Sequence, residues 1–281
     1  MAAPDFVAIG HVTLDRFGDV VRPGGAALYA AVTAHRLGLS AGILTSHGDD
    51  FPLELIPSRI EVVSVAAEAT TRFEHTAHGE RRTMRVLLAA GPLTAADVPE
   101  DWREAPLVLL APVLGEVDPN VTTAFTNATL AAAAQGWMRG LSADGAVGPV
   151  PWPSPEFLLT DLQAVFASAE DVVGQEAAVL EWVQRVPIAA VTAGREGALL
   201  YVNGERYEIP PRPATEVDAT GAGDVFATAF LIRYQLDGDP WEAAAAAACA
   251  ASLSVEGEGW AGIPDRGALQ AALREYHRAG C

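Results

Sequence analysis

The opening strand, helix and strand limit the fold more than any other feature of this chain. "FVAIGHVTLD" (6–15) is an apolar strand that runs into a polar turn. "GGAALYAAVTAHRLG" (24–38) opens on a glycine pair, repeats small or apolar residues at helical spacing and closes on Gly38. "SAGILTSHGDDF" (40–51) is a second apolar strand with its loop. A strand that returns through a helix to another strand makes a parallel pair, so the start predicts an α/β sheet.

Residues 60–90 break this pattern. They alternate apolar and polar positions around an "HGE" turn, as antiparallel strands with one solvated face do. This predicts a small β appendage over about 60–90, with 16–23 as a candidate extension, on one domain spanning 1–281. Arg81, Arg82 and Arg85 lie here. An exposed edge strand explains them more simply than contacts to an anion.

Further on, 105–115 reads as a buried strand, 118–136 as a helix and 137–145 as a strand and loop. A proline-rich loop (147–157) precedes a strand, a turn and an amphipathic helix over 162–186. Residues 188–211 read as a strand, a glycine loop and a β-hairpin with Asn-Gly at its tip. A helix opens at "GAGD", and another, built of very small residues, covers 241–259.

Composition removes several classes of function. A net charge of −18 disfavours nucleic acid and anionic membranes as partners. All 18 basic residues are arginine, which excludes a Walker A loop and lysine Schiff-base chemistry. No apolar run suits a membrane span, and "MAAPDFVAIG" has no secretory pattern, so a cytoplasmic location is expected. Two cysteines, Cys249 and Cys281, are too few for a disulfide framework or a zinc site. Cys249 reads as a small core residue. The histidines lack metal-ligand spacing, and His11 and His47 read as polar loop residues near strand ends.

The stretch "TGAGD" (220–224) carries chemistry in a compact form. Gly221 and Gly223 let backbone N–H groups converge, and with a helix N-terminus they make an anion hole. Asp224 follows at once and can accept the proton of an attacking hydroxyl. Read alone, the stretch fits a capped glycine turn equally well.

Four stretches together resemble the ribokinase-like (PfkB) carbohydrate kinases. "DATGAGDVF" looks like the family's C-terminal signature, with Ala219 where a threonine is usual and Thr220 one place later. "GGAALYAAVTAHRLG", "HGDDF" and "VTAGREGALLY" resemble its N-terminal signature, its G-x-D-x-F and its nucleotide loop, in the family's order. "TTRFEH" and "LSVEGEGWAGIP" bear a looser likeness to the myo-inositol kinase branch.

The resemblance implies a three-layer αβα fold with a central, mostly parallel sheet and a small β-sheet lid. It implies Asp224 as catalytic base and Gly221, Ala222 and Gly223 as anion hole. Asp15 would bind substrate hydroxyls, with Gly24 and Gly25 allowing close backbone approach. Thr192, Gly194, Gly197 and Thr220 would face the nucleotide, and the helix near Ala247–Ala251 would wall the adenine. Mg-ATP is the implied cofactor. The family's N-x-x-E motif near magnesium is here "SAED", so Ser168 and Asp171 take its places and Glu170 could substitute. Asp218 matches a monovalent-cation position, potassium being one such ion. Tyr29 stands where ribokinases carry asparagine, which argues against ribose. Asp144 reads as a loop residue.

The function so implied is ATP-dependent phosphorylation of a small sugar or polyol, a myo-inositol-like substrate being favoured. A nucleoside kinase would want an aromatic platform, for which Phe73 is the candidate. A non-catalytic sugar- or nucleotide-binding relative is the third reading. Monomer and homodimer both stay open.

Overall fold

The computed structural model describes residues 2–78 and 81–280; the side chains of Ala77, His78, Arg81 and Arg82 lie outside what is described. Nine strands make one sheet. In chain order they are β1 (Phe6–Ile9), β4 (Ala41–His47), β5 (Ile60–Ala66), β8 (Leu107–Leu110), β9 (Thr129–Ala133), β12 (Ala164–Ser168), β13 (Ile188–Thr192), β14 (Ala198–Val202) and β15 (Glu205–Ile209). Their spatial order is β15-β14-β13-β12-β9-β8-β1-β4-β5. Every pair from β5 to β13 is parallel, and the β14–β15 hairpin closes one edge antiparallel.

A second sheet has the order β3-β2-β6-β7, from β2 (Thr13–Phe17), β3 (Val20–Gly24), β6 (Thr71–His78) and β7 (Arg81–Leu88). A short ribbon pairs β10 (Arg139–Leu141) with β11 (Val147–Pro149). The helices are α1 (Ala26–Arg36), α2 (Glu156–Leu159), α3 (Glu176–Trp182), α4 (Ala222–Asp237), α5 (Pro240–Ser254) and α6 (Arg266–Arg278).

Alternation along the strands builds two cores. Phe6 and Ala8, Leu107 and Leu109, Ala164 and Phe166 turn to one face and pack under α1, α4 and α5. Val7 and Ile9, Val108 and Leu110, and Val165 turn to the other, where Trp102, Trp137, Trp152 and Trp182 fill the space above α2 and α3. Both faces of the sheet are covered, as a parallel sheet requires.

Three sequence expectations need correction. Residues 118–136 do not form a helix. A 3₁₀ turn at Pro119–Ala124 leads into β9, whose Ala131 and Ala132 are fully buried between β8 and β12. An alanine run favours helix by propensity, but a slot between two strands overrides a preference of that size. The stretch 6–15 is two strands, and its second half belongs to the small sheet. The stretch 60–90 is also divided: β5 pairs parallel with β4 in the large sheet, and the small sheet takes β6 and β7. Its partners β2 and β3 come from before α1, through parallel pairing of β2 with β6.

Candidate active site

The parallel strands deliver their carboxyl ends to one edge of the sheet, where ligands gather in folds of this kind. Glu116 ties two of those ends together: its carboxylate accepts from the N–H groups of His11 (2.9 Å), Val113 (2.9 Å) and Leu114 (2.7 Å). His11 is not a loosely held loop residue. It is buried, and its ring bonds Gly91 O and Thr71 Oγ1, both at 2.7 Å, which fastens the β1 exit to the small sheet.

Asp224 sits in the first turn of α4, buried, one turn from Gly221 at the helix cap. Gly221 adopts φ +77°, a left-handed conformation that glycine reaches at little cost. Gln135 Nε2 donates to Asp224 Oδ1 at 3.1 Å. Arg139 in turn donates to Gln135 Oε1 at 2.9 Å and to Val113 O at 2.8 Å. Burial pushes the Asp224 carboxyl up to about 7; Arg139 pulls it back and the Asp171 charge adds to the rise. The result is a carboxylate with a proton affinity suited to base catalysis near neutrality. Burial pulls the Arg139 guanidinium down, while Asp171, Asp224, Glu116 and Asp15 work the other way.

Neither Gln135 nor Arg139 was singled out from the sequence. The available signal is "AAAAQGWMR" (131–139), where polar residues first appear after an apolar run that ends at the sheet's ligand edge.

Asp15 lies on β2, in the small sheet and not at the end of the first strand. It is buried, with Oδ1 lacking a hydrogen-bond partner. Gly24 on β3 pairs with Thr13, and a Cβ at residue 24 would overlap Asp15 Oδ2. The glycine therefore leaves the carboxylate uncovered. Gly25 caps α1. Tyr29, one turn in, is buried against Gly221, and burial with the charges of Asp218, Asp224 and Asp15 pushes its phenol up. Phe73 is buried with the Arg139 guanidinium 5.9 Å above its ring, so that face is already taken.

On the donor side, Thr192, Gly194 and Gly197 line a cavity of about 450 Å³ with Pro211, Pro213, Phe226, Ala248, Ala251 and Val255. Ala222 and Gly223 line it as well. The cavity thus connects the glycine loop after β13 to the start of α4. Thr220 turns its N–H to Asp218 Oδ1 (2.9 Å) and is not among the residues lining the cavity.

Asp218 also accepts from Gly259 N (3.1 Å), with Arg22 Nη1 at 3.7 Å; Arg22 pairs with Glu258 as well. Asp171 Oδ2 accepts from Ser168 N (2.9 Å) and Ser168 Oγ (2.6 Å), so "SAED" forms a closed turn after β12. Asp144 is exposed and pairs with Arg85. Among the described residues no group of three or more His, Cys, Asp or Glu side chains could cage a metal ion. The carboxylates here suit a divalent ion held mainly by phosphate oxygens and water.

Residues 159–265 match the family model for pfkB family carbohydrate kinases. Over that stretch the chain is similar to PfkB family carbohydrate kinases. Its curated relatives include an inositol 3-kinase of Zea mays, 35% identical over 161 residues (55% of this chain, 41% of that protein). An inositol 3-kinase of Oryza sativa subsp. japonica is 32% identical over 243 residues (78% and 59%). The chain therefore spans about half the length of these two relatives. Among solved structures, one described as a pyrophosphate-dependent myo-inositol-1 kinase converted into a myo-inositol-3 kinase superposes with a TM-score of 0.80. That match covers 96% of this chain and 99% of the other at 22% identity, which shows that the two share a fold. No helix among the described residues is long and apolar enough to cross a membrane.

Proposed function

We propose that this chain transfers the γ-phosphoryl group of a nucleoside triphosphate to a hydroxyl of a small polyol, with myo-inositol the favoured class. The observation that carries this is Asp224: a buried carboxylate, raised to about 7 and held by Gln135, directly behind the glycine turn that opens α4.

The acceptor lies between the small sheet and the N-terminus of α4, with Asp15 on its hydroxyls. The reacting hydroxyl points at Asp224, which takes its proton as the oxygen attacks phosphorus. The N–H groups of residues 221–223 face the transferring phosphoryl, where negative charge spreads over the equatorial oxygens. The small sheet acts as a lid that excludes water, a competing nucleophile. The nucleoside occupies the apolar cavity, which the phosphates leave toward Gly223. Magnesium bound with the triphosphate supplies charge neutralisation in a protein that has no lysine to do it. Asp171 is the protein carboxylate proposed to reach that ion through water.

Two further assignments are finer. Asp218 is proposed to take part in a monovalent-cation site only when Arg22 withdraws, because the guanidinium already supplies positive charge there. A cytosolic site of action suits a chain with two cysteines, Cys249 and Cys281, too few for a disulfide framework.

The test is ADP release with Mg-ATP over a panel of cyclitols, sugars and nucleosides. Turnover with a cyclitol supports the reading. Turnover with nucleosides alone retains the chemistry and replaces the acceptor class. Silence across the panel with ATP bound removes the kinase.

A further inference from the structure

On one face of the small sheet, three buried polar atoms have no hydrogen-bond partner among the described residues: Thr13 Oγ1, Asp15 Oδ1 and His75 Nε2. Parallel pairing sets Thr13 beside Thr71, Asp15 beside Phe73 and Phe17 beside His75. Residues two apart on a strand share a face, so Thr13, Asp15, Phe17, Phe73 and His75 project from the same side. Gly24 lies over that side, its missing side chain leaving room beside both Thr13 Oγ1 and Asp15 Oδ2.

The His75 ring is fixed. Phe17 stacks on it with centroids 4.7 Å apart and planes 8° from parallel. Its Nε2 is 3.8 Å from Asp15 Oδ1, too far for a hydrogen bond. A hydroxyl oxygen seated off the line between the two atoms can reach both at ordinary hydrogen-bond length. Buried donors and acceptors left unpaired are costly, and where native proteins keep them a ligand or water completes the set.

We infer that His75 is a specificity-determining residue for the acceptor: its Nε2–H donates to one substrate hydroxyl whose own proton goes to Asp15 Oδ1. The pair reads a hydroxyl other than the one facing Asp224. The ligand class is a polyhydroxylated ring, and an analogue with hydrogen at the read position leaves both groups unpaired again. The inference rests on the polyol-acceptor reading above.

The experiment measures calorimetric binding and steady-state turnover of myo-inositol and its monodeoxy analogues with the wild-type protein, His75→Phe and His75→Gln. The expected result is that His75→Phe weakens myo-inositol about tenfold, in Kd and KM more than in kcat. His75→Gln, which keeps a donor, recovers part of that loss. One monodeoxy analogue binds wild type about tenfold more weakly than myo-inositol and is indifferent to His75→Phe. If His75→Phe weakens every analogue by the same factor, or none, the inference fails. If that variant does not fold, the wild-type analogue series decides: equal binding of all analogues overturns it. Cyclitol binding coupled to His75 without turnover sinks the kinase reading alone. Turnover without coupling sinks the His75 inference alone. Binding of no cyclitol or sugar ends both.

Discussion

The ring of Tyr29 occupies the space that a side chain on Gly221 would fill. One residue lies in the first turns of α1 and the other caps α4, so the proposed anion hole is held in place by a contact between the two helices. Gly221→Ala faces two penalties: a positive φ and an overlap with an aromatic ring that has no room to retreat. Overpacking of this kind costs roughly 1–3 kcal/mol, and the φ adds about 1 more. The thermal midpoint should fall by several degrees and turnover should be lost. Tyr29→Ala in the same chain should recover part of the stability without the activity, which a denaturation series on the single and double variants would show.

The carboxyl of Asp224 provides a pH signature. A base works deprotonated, so kcat/KM should fall about tenfold per pH unit below about 7 and level off above it. The same shift has a stability sign. A carboxyl raised from 3.8 to about 7 favours the folded state most below pH 3.8, and that contribution disappears as pH rises through about 7. At pH 8 the buried charge costs on the order of 4 kcal/mol. Asp224→Asn can keep the acceptor oxygen for Gln135 and removes the charge. It should raise the thermal midpoint at pH 8, raise it less at pH 5, and abolish turnover while ATP still binds. A variant that is no more stable than wild type at pH 8 contradicts the buried-charge account.

Arg139 holds down the proton affinity of the proposed base, and Gln135 links the two side chains. Arg139 opposes the rise in the Asp224 carboxyl, so its removal must shift proton affinity upward. Arg139→Met should move the acidic limb of the kcat/KM profile to higher pH and lower kcat at pH 7 by about 10- to 100-fold. Gln135→Leu should act in the same direction through loss of one hydrogen bond. An unmoved limb in both variants would show that the Arg139–Gln135–Asp224 chain holds structure without tuning the base.

The parts of this fold visible in the sequence are those where local pattern and tertiary role agree. β1 and β4 are continuous apolar runs, and α1 and α4 open on glycines that their caps require. β9 was hidden because "TLAAA" has helical propensity, and only its slot between β8 and β12 makes it a strand. The small sheet was half legible: β6 and β7 alternate, but β2 joins them through pairing that spans more than fifty residues, Thr13 with Thr71. The site divides in the same way. Asp224 and its glycines are contiguous, whereas Gln135, Arg139 and His75 reach the site from separate elements and acquire meaning only by meeting there.

Arg22 connects the small sheet to the loops at 218 and 258. Its side chain is about 40% exposed, so the pairs should add no more than about 1 kcal/mol to stability. Arg22→Ala should leave the thermal midpoint within a few degrees of wild type. Amide exchange along β3 should quicken, because a tether between two loops and an edge strand is gone. Unchanged exchange in β3 would show that the small sheet is held by its hydrogen bonds to β2 alone.

The donor can be settled by filling the cavity. A structural neighbour of this fold is described as pyrophosphate-dependent, and pyrophosphate has no base to bury. Here, Pro211, Pro213, Ala248, Ala251 and Val255 line a space of about 450 Å³, large enough for a purine and its ribose. A small residue at 251 keeps that space open, so Ala251→Trp should block the base while leaving Gly223 and the acceptor side untouched. With a nucleotide donor, KM for ATP should rise at least tenfold and KM for the polyol should stay constant. With pyrophosphate as donor, the same variant should turn over at the wild-type rate, and the assignment of the cavity to a nucleoside would have to be abandoned.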